Sequence, residues 1–129
     1  MKPDYRHKIK TLEEIAQAIG PRPRQKTVIM CHGMFDIVHP GHLRHLMYAK
    51  EKADVLVASI TADAHATKGA LRPYVPQELR AVNLAALEIV DYVIIDQMFT
   101  EIDWGTAAHM IRAAKGAGVT PLIRTEANP

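Results

Sequence analysis

Three short runs of β-branched and other apolar residues recur along the chain: Thr27–Cys31 (TVIMC), Val55–Ile60 (VLVASI) and Tyr92–Ile95 (YVII). Runs this short and this apolar suit strands buried on both faces. The intervals between them leave room for one helix each. Strands joined through helices run parallel, because the chain recrosses the sheet before each new strand begins. This pattern excludes sandwiches built from hairpins and bundles built from helices alone.

The intervening segments carry helical signals. Thr11–Ile19 is expected to be a helix capped by Thr11, with Glu13 and Glu14 in its first turn and Leu12, Ile15, Ala16 and Ile19 on its apolar face. Gly20 and Pro21 stop it, and Pro21–Lys26 forms a rigid basic connector. His42–Ala53 is expected to turn Leu43, Leu46, Met47 and Ala53 inward. Gln77–Val90 offers Leu79, Val82, Leu84, Leu87 and Val90, and Thr106–Lys115 is a last helix. Val119–Ile123 reads as a fourth strand, which Pro121 confines to an edge or a bulge. The expected class is α/β, a Rossmann-like doubly wound parallel sheet in a single domain with Thr27–Cys31 central. Residues 1–26 would be an N-terminal helix and connector, and 27–129 the main domain. Such sheets bind ligands beyond the carboxyl ends of their strands, at the switch point. That directs attention to the loops after Cys31, Ile60, Ile95 and Ile123.

The formal net charge is +2, and the basic residues are spread apart from Arg22, Arg24 and Lys26, which argues against a nucleic-acid partner. No apolar run approaches the length of a membrane span, so no membrane association is expected. Cys31 is the single cysteine, so no internal disulfide can form and a cytoplasmic location is expected.

The loop after the first strand reads His32-Gly33-Met34-Phe35-Asp36-Ile37-Val38-His39-Pro40-Gly41-His42. It leaves a buried strand and enters a helix, and a helix start with free N–H groups and a positive dipole end attracts anions. Gly41 permits close approach of a phosphate. His39 and His42, three positions apart, can both reach one anion and donate hydrogen bonds as charge develops. Competing readings remain: a zinc site using His45 or Cys31 as well, solvated helix-start histidines, or glycines serving only as turn punctuation. Cys31 reads as packing, and no catalytic triad is recognisable. The loop after the second strand carries Lys68-Gly69 and Arg72-Pro73, followed by Arg80 at a helix start. Those three cations suit a polyphosphate, or equally a solvated basic loop. Arg80 could also pair with Glu78 or Glu88.

The run GMFDIVHPGH resembles the signature of the cytidylyltransferase-like nucleotidyltransferases, whose hallmark His-x-Gly-His is here His39-Pro40-Gly41-His42 after Phe35-Asp36. More of the chain is similar to the adenylyltransferase domain of heptose-phosphate enzymes. That similarity includes Ile9–Ile15, Lys68-Gly69 with Arg72-Pro73, Pro76–Arg80 and Ala85–Val93. Arg124-Thr125-Glu126 is similar to the start of the Arg-Thr-Glu-Gly-x-Ser-Thr-Thr motif of glycerol-phosphate cytidylyltransferases. His32 stands where the heptose enzymes usually have Asn. A Val-Lys-Gly-x-x-Tyr loop has no match between Lys115 and Val119, so the chain is expected to lack the C-terminal part of the family fold.

The resemblance implies a nucleotidylyltransferase. Such an enzyme would transfer a nucleoside monophosphate from a triphosphate (ATP or CTP), with Mg²⁺, to a phosphorylated small-molecule acceptor, a sugar 1-phosphate such as heptose phosphate, releasing pyrophosphate, and a homodimer is an open expectation. It implies His39, His42 and Lys68 as catalytic residues. Gly33, Phe35, Asp36, Gly41, Arg80 and Arg124 would be nucleotide contacts, with Asp36 ordering the site or the metal. Asp63 and Arg72 would be acceptor contacts. A glycerol- or ethanolamine-phosphate cytidylyltransferase, an enzyme making FAD-like products, and a non-catalytic nucleotide-binding module are the alternatives.

Overall fold

The apolar runs form parallel strands, and the alternation of their side chains decides which helix covers which face. The computed structural model describes residues 4–63, 73–96, 115–116 and 118–123. A 3₁₀ turn (Tyr5–Lys8) precedes α1 (Leu12–Ile19), β1 (Val28–Gly33), α2 (Pro40–Lys52), β2 (Val55–Thr61), α3 (Gln77–Ala85), β3 (Tyr92–Asp96) and β4 (Thr120–Ile123). The sheet order is β3-β2-β1-β4, with every pairing parallel. The first three strands step outward in one direction and β4 lies on the other side of β1. The switch point therefore falls at the carboxyl end of β1, where the histidine loop begins.

Ile29 and Cys31 of β1, Leu56, Ala58 and Ile60 of β2 and Val93 of β3 pack with Leu46 and Ala49 of α2 and Ala81, Leu84 and Ala85 of α3. Residues of the opposite parity, Val28 and Val57 with half-buried Met30, Tyr92 and Ile94, pack against Ile15 of α1. Helices thus cover both faces, as a doubly wound sheet requires. The N-terminal segment is tied to this body: Ile9 bridges Val93, and Lys8 Nζ donates to the carbonyls of Leu87 (3.0 Å) and Val90 (2.8 Å).

Several expected boundaries shift, each for a local reason. β1 continues through His32 and Gly33, because both keep register with Ser59 and Ile60 of β2. α2 begins at Pro40, with His39 as its cap, since proline fits the first helical position. On α2, positions 42, 46 and 49 share the buried face, and Met47, a step of about 100° from Leu46, is 54% exposed. α3 stops at Ala85 where a helix to Val90 was expected. The chain turns tightly there, Leu87 N–H donating to Leu84 and Val90 N–H to Leu87, and the turn presents the carbonyls of Leu87 and Val90 to Lys8. Leu79 is exposed at 56% and Leu12 at 66%, against their expected inward roles. Pro121 lies on the outermost strand among the described residues, where a missing N–H costs least. Of the expected helix 106–115, only Lys115 lies within the described residues.

Candidate active site

Past Gly33 the chain leaves β1 through Phe35, which adopts a positive φ of 51°. A phenylalanine in this left-handed region is strained, and it persists because the ring is locked: Phe35 is 1% exposed within the core. A Cβ added at Gly33 would lie 3.1 Å from the Phe35 ring, so any side chain there would press on that buried ring. Gly33 and Phe35, expected as nucleotide contacts, thus shape the loop in the described structure. The buried Asp36 follows. Its two carboxylate oxygens accept from the N–H groups of Tyr74 (3.0 Å) and Val75 (2.9 Å), tying the histidine loop to the segment before α3.

His39 and His42 come together, with ring centroids 3.9 Å apart. His39 Nδ1 accepts from the Gly41 N–H (3.0 Å), and His42 Nδ1 accepts from the His39 N–H (3.2 Å). This is a reciprocal capping box made of two imidazoles. An Nδ1 that accepts a backbone N–H carries no proton, so the proton of each neutral ring sits on Nε2. Both rings therefore carry an Nε2–H donor at the positive end of α2. His42 is 3% exposed and stacks at 5.2 Å from Phe35, whereas His39 is exposed. The Gly41 N–H, expected to meet a phosphate, is engaged by His39.

Arg80 is fully buried. Its guanidinium donates to the carbonyls of Met34 (2.9 Å), Thr61 (2.7 Å) and Val75 (2.8 Å) and to Asp63 Oδ1 (2.6 Å). Asp63 Oδ2 also accepts from the Gln77 N–H, and Gln77 Oε1 accepts from the Asp63 N–H. Arg80 and Asp63, expected as nucleotide and acceptor contacts, here form one clasp holding the ends of β1 and β2 and the start of α3. Arg80 pairs with Asp63 and with neither Glu78 nor Glu88. Lys68, Arg72 and Arg124 lie outside the described residues.

No group of three or more histidine, cysteine, aspartate or glutamate residues among the described residues is arranged to hold a metal ion. Cys31 lies fully in the core, and burial pushes its thiol up to about 12, so it is a packing residue there. The sequence reading passed over a second polar group. His32, Ser59 and Asp96 lie near the carboxyl ends of β1, β2 and β3 on one sheet face, and His32 Nδ1 lies 2.9 Å from Ser59 Oγ and 4.0 Å from Asp96 Oδ2. Burial lowers the His32 imidazole to about 4, so the ring is neutral near pH 7. The available signal was a polar residue closing each apolar run at an inward position.

The family model described as cytidylyltransferase-like matches residues 30–115. The chain is 35% identical over 116 residues to the "Bifunctional protein HldE" of Campylobacter concisus, covering 88% of this chain and 24% of that protein. It is 35% identical over 121 residues to the protein of the same name from Pelobacter propionicus, covering 92% of this chain and 25% of the relative. The chain thus spans about a quarter of the length of the curated relatives it matches. The fold matches the crystal structure of a lipopolysaccharide core biosynthesis protein from Thermoplasma volcanium. The TM-score is 0.57 at 20% identity, over 81% of this chain and 100% of that one. The chain belongs to the cytidylyltransferase-like family of nucleotidyltransferases.

Proposed function

We propose that this chain transfers a nucleoside monophosphate from a triphosphate to a sugar 1-phosphate of the heptose class, releasing pyrophosphate. The observation that carries the reading is the pair of imidazoles at the start of α2, each with its Nδ1 used by the backbone and its proton on Nε2. The acceptor phosphate is already anionic, so its attack on the α-phosphate needs no strong base. Catalysis then consists of alignment and neutralisation of charge. The Nε2–H groups of His39 and His42 donate to phosphate oxygens as negative charge shifts toward the leaving pyrophosphate. Lys68 and Arg124 are assigned to the triphosphate and Arg72 to the acceptor, on their match to the family motifs. Asp36 and Arg80 tie the histidine loop to the end of β2 and the segment before α3.

Mg²⁺ would come with the triphosphate and supply charge neutralisation for the leaving pyrophosphate. The carboxylates of Asp36 and Asp63 are engaged by backbone N–H groups and by Arg80, so the triphosphate itself would hold the ion. The heptose assignment rests on the run from Lys68-Gly69 through Arg72-Pro73 to the Asp91-Tyr92-Val93 segment. A cytoplasmic location follows from the lone buried cysteine and the triphosphate substrate.

The test is pyrophosphate release with ATP and CTP, each paired with heptose 1-phosphate, glycerol 3-phosphate and phosphoethanolamine. Heptose 1-phosphate is expected to turn over fastest, and a faster rate with either smaller acceptor would overturn that assignment. His42→Ala is expected to lower kcat by on the order of 10²–10³. It also removes the cap on His39 and the contact with Phe35, so some loss of melting temperature accompanies it.

A further inference from the structure

On the sheet face covered by α1, three adjacent strands pass from apolar to polar at their carboxyl ends. Val28 and Met30 lead to His32, Val57 leads to Ser59 and Thr61, and Tyr92 and Ile94 lead to Asp96. All four polar residues are buried, at 0% for His32, 2% for Ser59, 4% for Thr61 and 8% for Asp96. The parallel register sets His32 beside Ser59 and Thr61 beside Asp96. Buried polar atoms are normally hydrogen-bonded. Nε2 of His32 is buried without a hydrogen-bond partner among the described residues.

The chemistry of the cluster selects its ligand. Ser59 Oγ and the Asp96 carboxylate both lie on the Nδ1 side of His32, at 2.9 and 4.0 Å. Ser59 Oγ can accept from Nδ1, and the negative carboxylate on that side favours the proton there, the tautomer in which Nε2 presents a lone pair. A carboxylate and an imidazole lone pair accept from O–H donors and repel phosphate oxygens. The helix start carrying His39 and His42 belongs to α2, which packs on the opposite face of the sheet, and it offers donors only. One carboxyl edge of the sheet thus presents donors on one side and acceptors on the other. A sugar 1-phosphate is divided in the same way, with a phosphate at one end and neutral hydroxyls at the other.

We infer that His32, Ser59 and Asp96 form the hydroxyl-recognition floor of the acceptor subsite, taking the polyol end of a sugar 1-phosphate whose phosphate faces His39 and His42. This rests on the function proposed above and names the residues that read its acceptor. Asp96, with 10% of its side chain exposed, is the rim contact. Ser59 orients the ring of His32, and a second hydroxyl supplies the hydrogen bond that Nε2 lacks.

Steady-state kinetics of the full chain, varying heptose 1-phosphate and ATP separately, test it. Asp96→Asn and His32→Leu are each expected to raise KM for heptose 1-phosphate about tenfold, with KM for ATP and kcat within about twofold, because a site built to bond a hydroxyl discriminates through that bond. His32→Asn, which keeps a donor and an acceptor, should recover most of the loss. Deoxygenated heptose 1-phosphates should lose rate with the wild type and lose less with Asp96→Asn, the coupling expected when one hydrogen bond is removed from either side. Ser59→Ala, a smaller change, gives the same reading if melting curves show His32→Leu unfolded. Unchanged acceptor KM in the variants, or an equal shift in KM for ATP, overturns the inference while leaving the proposed function standing. A wild type inactive with every sugar 1-phosphate but active with glycerol 3-phosphate overturns the function first and this inference with it.

Discussion

Two backbone hydrogen bonds set the tautomers of His39 and His42, and with them the direction in which each ring can donate. The spacing of these residues was readable in the sequence, since His-x-Gly-His after a strand and before a helix has few other uses. Their tautomers were not, because they depend on a cap that forms only once Pro40 starts the helix. Arg80 shows the opposite case. Its partners Met34, Thr61, Asp63 and Val75 are scattered along the chain, so no local pattern separates a buried clasp from a phosphate ligand. His32 carries a pH prediction. Its folded state titrates near 4, against 6.5 for an unperturbed histidine, because burial disfavours the charged ring. Between those values the unfolded chain binds a proton that the folded chain refuses. Stability is therefore lost as pH falls from about 6.5 to 4, by up to about 3 kcal/mol. Glu14 and Asp54 are held below their usual range by bonds from Thr11 and Thr27, so their losses begin lower. Urea midpoints measured from pH 7 to pH 4.5 should fall for the wild type and fall less for His32→Asn. Parallel curves would show that His32 is not the group responsible.

At the level of elements, strand positions were legible to within two residues, because a buried strand must be apolar on both faces and little else is so short. Helix ends were less legible. The apolar periodicity from Gln77 to Val90 suits a helix throughout, yet tertiary contacts with Lys8 favour a turn after Ala85. The segment before α3 gave no sequence signal at all, because its backbone is held by Asp36 and Arg80 from elsewhere. Its dependence on Asp36 can be measured. Asp36→Ala leaves the N–H groups of Tyr74 and Val75 without their acceptors, which should destabilise the fold by about 1–3 kcal/mol. Hydrogen exchange at those two amides should rise more than at Val57 or Val93 in the sheet core. Equal increases everywhere would mean that Asp36 acts on global stability and not as the tether of this segment.

Across the whole molecule, the class of fold followed from alternation alone, whereas the strand order needed the return of the chain to the far side of β1. That return makes the carboxyl end of β1 the switch point, and it sets the donor edge at α2 beside the acceptor edge formed by His32, Ser59 and Asp96. Neither edge is visible until parity assigns the side chains to opposite faces. A ligand that binds only the folded chain at this switch point must raise its melting temperature by mass action. Mg·ATP at about a hundred times its Kd contributes about 2.7 kcal/mol, which for a chain of this length corresponds to a rise on the order of 10 °C. His39→Ala should lower the ligand-free melting temperature slightly, since the Gly41 N–H loses its cap. The informative quantity is the further rise on adding Mg·ATP, which should fall to less than about half of the wild-type value at equal ligand concentration. The His39 ring is exposed and touches the buried part of the site only through His42, so this variant separates binding from folding more cleanly than a change at buried His42. An undiminished rise in His39→Ala would move the triphosphate away from the start of α2 and remove the observation on which the proposed function rests.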